Sequence, residues 1–187
     1  MATVNLHPSG TVSGNQNWTI NNGGSTAHAV LADSDDTTYI KTAAQSQYCV
    51  VEVDNYTAGG TVDSIRWYVR GAYALTRSGD IDMQVVLGTG SHAPVSGSAD
   101  AHYSETFTLT FNAGYARQDY YGTARTTSDG ASTAWNIGTL NSLRLDINTS
   151  PVDPPGISQA WGAKAYVEVT YEPVAVTDNT TFFGTNF

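Results

Sequence analysis

Residues 62–71 read VDSIRWYVRG. Ile65, Trp67 and Val69 fall on one parity and Arg66, Tyr68 and Arg70 on the other. Strict alternation over this length describes a β-strand with one face buried and one solvated, the mark of an antiparallel sheet. Trp67 shares its parity with Ile65 and Val69 and is expected in the core.

The same pattern recurs on both sides. YCVVEVD (48–54) sets Cys49, Val51 and Val53 against Val50, Glu52 and Asp54. IDMQVVLG (81–88) points Ile81, Met83, Val85 and Leu87 one way. YSETFTLTF (103–111) alternates Phe107, Leu109 and Phe111 with threonines, and SLRLDIN (142–148) alternates Leu143, Leu145 and Ile147 with Arg144 and Asp146. AKAYVEVTY (163–171) closes the series. Turn-forming runs separate these segments: TAGG (57–60), RSGD (77–80), GTGSHAPVSGS (88–98), SDGAS (128–132) and SPVDPPG (150–156). No stretch of ten residues or more keeps apolar positions at helical spacing, so no helix is expected. The predicted fold is all-β: a two-sheet antiparallel sandwich or jelly roll, one domain over residues 1–173.

Residues 174–187, VAVTDNTTFFGTNF, break the pattern after Pro173. They are polar and turn-prone yet hold Phe182, Phe183 and Phe187. A solvated tail rarely keeps three phenylalanines, each of which releases about 1.5–3 kcal/mol of transfer free energy when buried. Two readings follow: a last edge segment folded back on its own domain, or an extended C-terminal arm that docks on a neighbouring subunit. The three phenylalanines are the interface candidates.

The chain has 187 residues and 40% hydrophobic content, enough for one substantial core. Charged residues make up only 13%, and net charge is −9. An acidic chain with eight lysines and arginines lacks the basic stripe that a nucleic-acid backbone needs, and it is repelled by anionic lipid. No apolar run approaches a membrane span, and MATVNLHPSG shows neither a basic n-region nor an apolar h-region, so no signal peptide is expected. Cys49 is the single cysteine, which excludes an intrachain disulfide, and its apolar setting predicts a buried, inert thiol.

Chemistry has few footholds. His7, His28, His92 and His102 form no zinc-ligand spacing, and His28 reads as a half-buried residue at a strand start. The serines of Gly90-Ser91-His92 and Ser96-Gly97-Ser98 lack the strand–turn–helix setting of a nucleophile elbow. Glycoside hydrolysis needs two carboxylates across a cleft; Glu52, Asp54, Asp82, Glu105 and Asp146 all lie on strands and read as outer-face residues. No cofactor motif is present. LADSDDTTYI (31–40) places Asp33, Asp35 and Asp36 together. As a calcium site the trio is thin, with too few of the six to eight oxygens required and no closing Glu. Asp accepts backbone N–H groups well, and a turn delivering Tyr39 and Ile40 into a strand is the favoured reading. Trp161, Tyr120 and Tyr121 lie outside the clearest core pattern and are candidates for stacking on a glycan.

LHPSGTVSGNQNWTI, HAVLADSDDTTYIK, VDSIRWYVRG and LRLDINTS…AKAYVEVTYEP together resemble the β-sandwich virion proteins of tailed bacteriophages, over residues 5 to 173. That resemblance implies a non-enzymatic structural role, with no catalytic residue and no cofactor. It points to a capsid decoration or cement protein: a homotrimer on the virion surface, made in the host bacterial cytoplasm, that binds the major capsid protein across subunit joints. The alternative it leaves open is a carbohydrate-binding adhesin of a tail, baseplate or head fibre. A small glycan hydrolase is the third reading.

Overall fold

A computed structural model describes residues 1–21, 23–42, 47–74, 81–88, 101–109, 116–128, 132–149 and 159–175. The C-terminal phenylalanines Phe182, Phe183 and Phe187, and the loop serines with His92, lie outside the described residues.

Eleven strands and two short helices are present among the described residues. The strands are β1 (Ala2–Leu6), β2 (Pro8–Gln16), β3 (Thr19–Asn21), β4 (Tyr39–Thr42), β5 (Tyr48–Val53), β6 (Thr61–Ala74), β7 (Ile81–Gly88), β8 (Ala101–Leu109), β9 (Gln118–Tyr121), β10 (Arg144–Thr149) and β11 (Gln159–Glu172). One sheet runs β3-β4-β11-β6-β9, with β1 also paired to β11; the other runs β2-β5-β10-β7-β8. All pairings in both are antiparallel. The two sheets pack face to face, so the fold is the expected antiparallel β-sandwich.

The core lies between them. Ile65, Trp67 and Val69 of β6 and Ala165, Val167 and Val169 of β11 meet Cys49 and Val51 of β5, Val85 and Leu87 of β7, and Leu145 and Ile147 of β10. Cys49 is fully buried, and burial pushes its thiol up to about 12, which makes it inert at ordinary pH.

Two findings depart from the sequence expectation. The first is helix. Residues Ala27–Ala32 form α1 and Ile137–Leu140 form α2. Thr26 caps α1, its hydroxyl accepting from the Ala29 N–H at 3.3 Å, and Asn136 caps α2 in the same way from Thr139 at 3.0 Å. A six-residue helix has no stability of its own in water; α1 holds because Ala27, Val30 and Leu31 are buried in the core. His28 therefore sits on a helix, not at a strand start, and its ring nitrogens bond Thr11 Oγ1 at 2.8 Å and Thr26 Oγ1 at 3.3 Å.

The second departure concerns strand faces. Val50, Val86 and Asp146 sit on the parity read as solvated, yet they are 0%, 0% and 2% exposed. They neighbour one another across three strands, in the register Asp146↔Val50 and Asp146↔Val86. Glu105 is not an outer-face residue either: it shares its parity with Tyr103, Phe107 and Leu109 and turns toward Trp67.

Candidate binding face

The outer face of the six-stranded sheet carries aromatic and ionic side chains from β4, β6, β9 and β11. Register decides this. Arg70 of β6 lies opposite Lys164 of β11 and Asp119 of β9, Tyr68 opposite Tyr166 and Tyr121, and Arg66 opposite Glu168. A bulge between Gly162 and Lys164 keeps Trp161 on this same face, opposite Ala72 and Lys41.

At one end Trp161 stacks on Tyr39, ring centroids 4.3 Å apart and planes at 18°. The Arg117 guanidinium lies 4.9 Å from the Trp161 ring and 5.1 Å from the Tyr39 ring. Its Nη2 donates to the Asp36 backbone carbonyl at 2.9 Å, and burial pulls its pKa down from the usual arginine value. At the centre Arg70 grips Asp36 with two bonds, Nε to Oδ1 at 2.8 Å and Nη2 to Oδ2 at 2.7 Å, while Nη1 reaches Asp119 at 2.7 Å. The forked geometry suits a carboxylate and makes each bond charge-assisted. The Tyr68 hydroxyl donates to the same Asp119 oxygen at 2.7 Å. The Arg70 hydrogen bond holds Asp36 below the usual carboxylate range, and the Tyr68 and Arg70 bonds do the same for Asp119.

At the other end Tyr68 and Tyr166 stack at 4.2 Å. Burial pushes the Tyr166 phenol up to about 12. Arg66 bonds Glu168 at 2.7 Å and lies 4.8 Å over the Tyr121 ring, which is 49% exposed.

The three stacking candidates divide. Tyr121 is exposed on this face, and Trp161 lies on it half-buried beneath its partners. Tyr120 has the opposite parity and packs inward on Phe107 at 4.9 Å. The aspartates divide as well. Asp33 Oδ1 accepts the Asp35 N–H at 2.9 Å and its Oδ2 the Thr38 hydroxyl at 2.8 Å. Asp35 accepts the Thr37 N–H and hydroxyl, each at 2.8 Å. Asp36 goes to Arg70. The trio is thus a turn whose last member anchors the ionic centre of the sheet, a role that sequence reading missed because Arg70 is 34 residues away.

The remaining carboxylates are placed as follows. Glu105 accepts from Trp67 Nε1 at 3.1 Å, Thr123 N at 2.9 Å, Thr123 Oγ1 at 2.7 Å and the Tyr103 hydroxyl. Burial pulls its pKa up, but these donors together outweigh it and the net shift is downward. Gly122 packs against the same indole; a Cβ there would lie 2.3 Å from Trp67 Nε1. Asp82 accepts from Thr108 at 2.8 Å. Glu52 and Asp54 line one polar cleft, but they follow each other along one chain segment and are not opposed across it. Among the described residues, no three His, Cys, Asp or Glu side chains are grouped to hold a metal ion.

No family model and no curated protein matches the chain. An arabinose-bound α-L-arabinofuranosidase structure is similar at 11% identity and TM-score 0.46, over 88% of this chain and 27% of that one. The K3 cleaved adhesin domain of Lys-gingipain from Porphyromonas gingivalis is similar at 10% identity and TM-score 0.37, over 91% of this chain and 100% of the other. This chain thus spans about a quarter of the arabinofuranosidase's length. Both likenesses are weak and assign nothing to this chain.

Proposed function

We propose that the chain is a non-catalytic carbohydrate-binding module and that the outer face of its six-stranded sheet receives the glycan. The observation that carries this reading is the placement of Tyr121 and Trp161 on one face, with paired charges interleaved between them. Rings held in fixed orientation offer stacking area at little entropic cost, and nearby ionic groups offer hydrogen bonds to hydroxyls. Asp36, Asp119 and Glu168 on this face are each tied to an arginine, which supports binding over acid–base chemistry. A glycan array with the intact protein tests it. At least one glycan is expected to bind, and Tyr121→Ala and Trp161→Ala are each expected to weaken it about tenfold, or 1.4 kcal/mol. Binding that survives both substitutions, or no bound glycan, removes the proposal.

The composition of the face favours a second reading. Tyr, Trp and Arg are the residues enriched at protein interfaces. A virion decoration protein docking this face on a major capsid protein, with the 174–187 arm crossing to a neighbour, accords with that composition and with the sequence resemblance. Occupancy on purified particles decides it. Deletion of residues 174–187 is expected to lower occupancy, and unchanged occupancy removes the arm's role.

A further inference from the structure

β9 is a four-residue strand at the end of its sheet, paired with β6. The chain beyond it keeps to β6. The Gly122 N–H donates to the Trp67 carbonyl at 2.9 Å, and Arg125 and Ile65 exchange backbone bonds at 2.8 and 2.9 Å. Between those points two residues, Thr123 and Ala124, stand opposite one, Arg66, so the ladder is interrupted by a bulge.

A bulge leaves backbone groups without a ladder partner, and each needs another. Both groups of Thr123 find theirs on β8, in the other sheet. The Thr123 N–H donates to Glu105 Oε2 at 2.9 Å, and the Thr123 hydroxyl donates to Glu105 Oε1 at 2.7 Å. The Tyr103 hydroxyl shares its proton between Glu105 and the Thr123 carbonyl, which lies 3.2 Å away. Trp67 Nε1 steadies the same carboxylate from β6 at 3.1 Å. Trp67 is 1% exposed and Tyr103 7%, so the groups that hold Glu105 are themselves fixed in the core. Gly122 lies against the Trp67 indole, which fixes where the chain enters the bulge. The Arg125 guanidinium closes the far side, 4.3 Å from the Tyr103 ring.

Thr123 is two residues past Tyr121, the exposed ring of the aromatic face. A short edge strand is among the first parts of a fold to open. Bonds to an ionised carboxylate are the stronger kind, and here they act at the end of the strand nearest Tyr121. The ring is thus set from behind its own sheet by a side chain of the opposite one.

We propose that Glu105 is a positioning residue for the aromatic face: by clasping Thr123 it fixes the end of β9 and the orientation of Tyr121. The clasp forms without a ligand, but its use rests on the reading of that face as a glycan site.

Amide exchange of the intact protein, read by NMR, tests the clasp. Glu105→Ala is expected to speed exchange of the Gly122 and Arg125 amides about tenfold and to leave the amides of the central strand β10 unchanged. Glu105→Gln keeps an acceptor oxygen and is expected to restore most of the protection. Thr123→Val removes a single bond at an exposed site and is expected to speed the same amides about threefold, so the test does not hang on one variant. The proposal is overturned if Glu105→Ala and Thr123→Val exchange as slowly as the parent, which would mean that Tyr120 packed on Phe107 holds β9 by itself. It is equally overturned if the β10 amides speed up by the same factor, since that is the mark of a residue that only stabilises the whole fold. The glycan array reads the consequence. For a glycan that the parent binds, Glu105→Ala is expected to weaken binding about fivefold and Glu105→Gln to restore it; unchanged binding in Glu105→Ala overturns the positioning role. A parent that binds no glycan removes the reading of the face, and amide exchange then decides the clasp alone.

Discussion

On the outer face of the six-stranded sheet, Asp119 is 45% exposed and has two donors, Arg70 Nη1 and the Tyr68 hydroxyl. On the outer face of the five-stranded sheet, Asp146 is 2% exposed, and its one side-chain donor is Asn148 Nδ2 at 3.1 Å. Its Oδ1 is buried without a partner. The first carboxyl is held below the usual range; burial pushes the second up to about 7. Burial disfavours the charged form on either face; on nearly buried Asp146 the Asn148 side-chain and Cys49 backbone donors do not offset it, whereas on half-exposed Asp119 the Tyr68 and Arg70 bonds do. The six-stranded sheet therefore presents a surface of settled charges, whereas the five-stranded sheet carries a carboxyl that changes state near neutral pH.

Asp146→Asn is the sharpest way to break this contrast. The folded-state pKa of about 7 lies above the ordinary 3.8, so the folded protein holds this proton more tightly than the unfolded chain does. The resulting stabilisation is complete below about pH 4, declines as pH rises toward about 7, and is lost above that. At about 1.4 kcal/mol per pH unit, its ceiling is about 4 kcal/mol. Urea unfolding of the parent is expected to show falling stability between about pH 4 and 7. The Asn variant is expected to be flat over that window and about 2–4 kcal/mol more stable at pH 8. A parent curve with no decline would mean that Asp146 is not a lone buried acid.

Arg70→Met probes the other face. Asp36 and Asp119 would lose their shared cation, but at 43% and 45% exposure both can hydrate. The expected loss is about 1–2 kcal/mol, below that of a fully buried pair. Its pH signature has the opposite sign to that of Asp146. Carboxylates held low stabilise the fold above their ordinary pKa and lose that contribution as pH falls through their depressed values. The variant is therefore expected to lose the acid-side slope below about pH 4 that Asp36 and Asp119 give the parent. An unchanged acid limb would show that the Arg70 network holds neither carboxylate low.

The strands behind this contrast were legible because alternation is local. Ile65, Trp67 and Val69 declare their face within five residues, and the structure buries all three. The faces were only partly legible. CVVEV and QVVLG each place valines side by side, at 50–51 and 85–86, which signals a strand covered on both sides, and all four are 0% exposed. Counting parity from Phe107 back to Glu105 would have turned that carboxylate inward. The helix α1 left only its cap signal, Thr26, because six residues are too short for a 3.6-residue period to show. The ionic centre was illegible for a different reason. Asp36, Arg70 and Asp119 come from distant parts of the chain; strand register sets Arg70 beside Asp119, and the turn before β4 delivers Asp36 to Arg70.

Two smaller effects test whether the paired face is a binding surface or simply a stable one. Glu168→Gln removes the carboxylate from Arg66, in a pair 39% and 19% exposed, and is expected to lower stability by about 0.5–1 kcal/mol in thermal unfolding. Tyr121→Ala removes a ring that contacts Tyr68 at 5.0 Å and lies under Arg66 at 4.8 Å. At an exposed site such contacts contribute about 0.5 kcal/mol or less, so the melting temperature should scarcely move. Glycan binding should fall about tenfold over the same substitution. That separation is the point of the test, since a side chain kept for stability shows the reverse ratio. A large loss of stability with unchanged binding would make Tyr121 a packing residue and leave the outer face of the six-stranded sheet as nothing more than a well-paired surface.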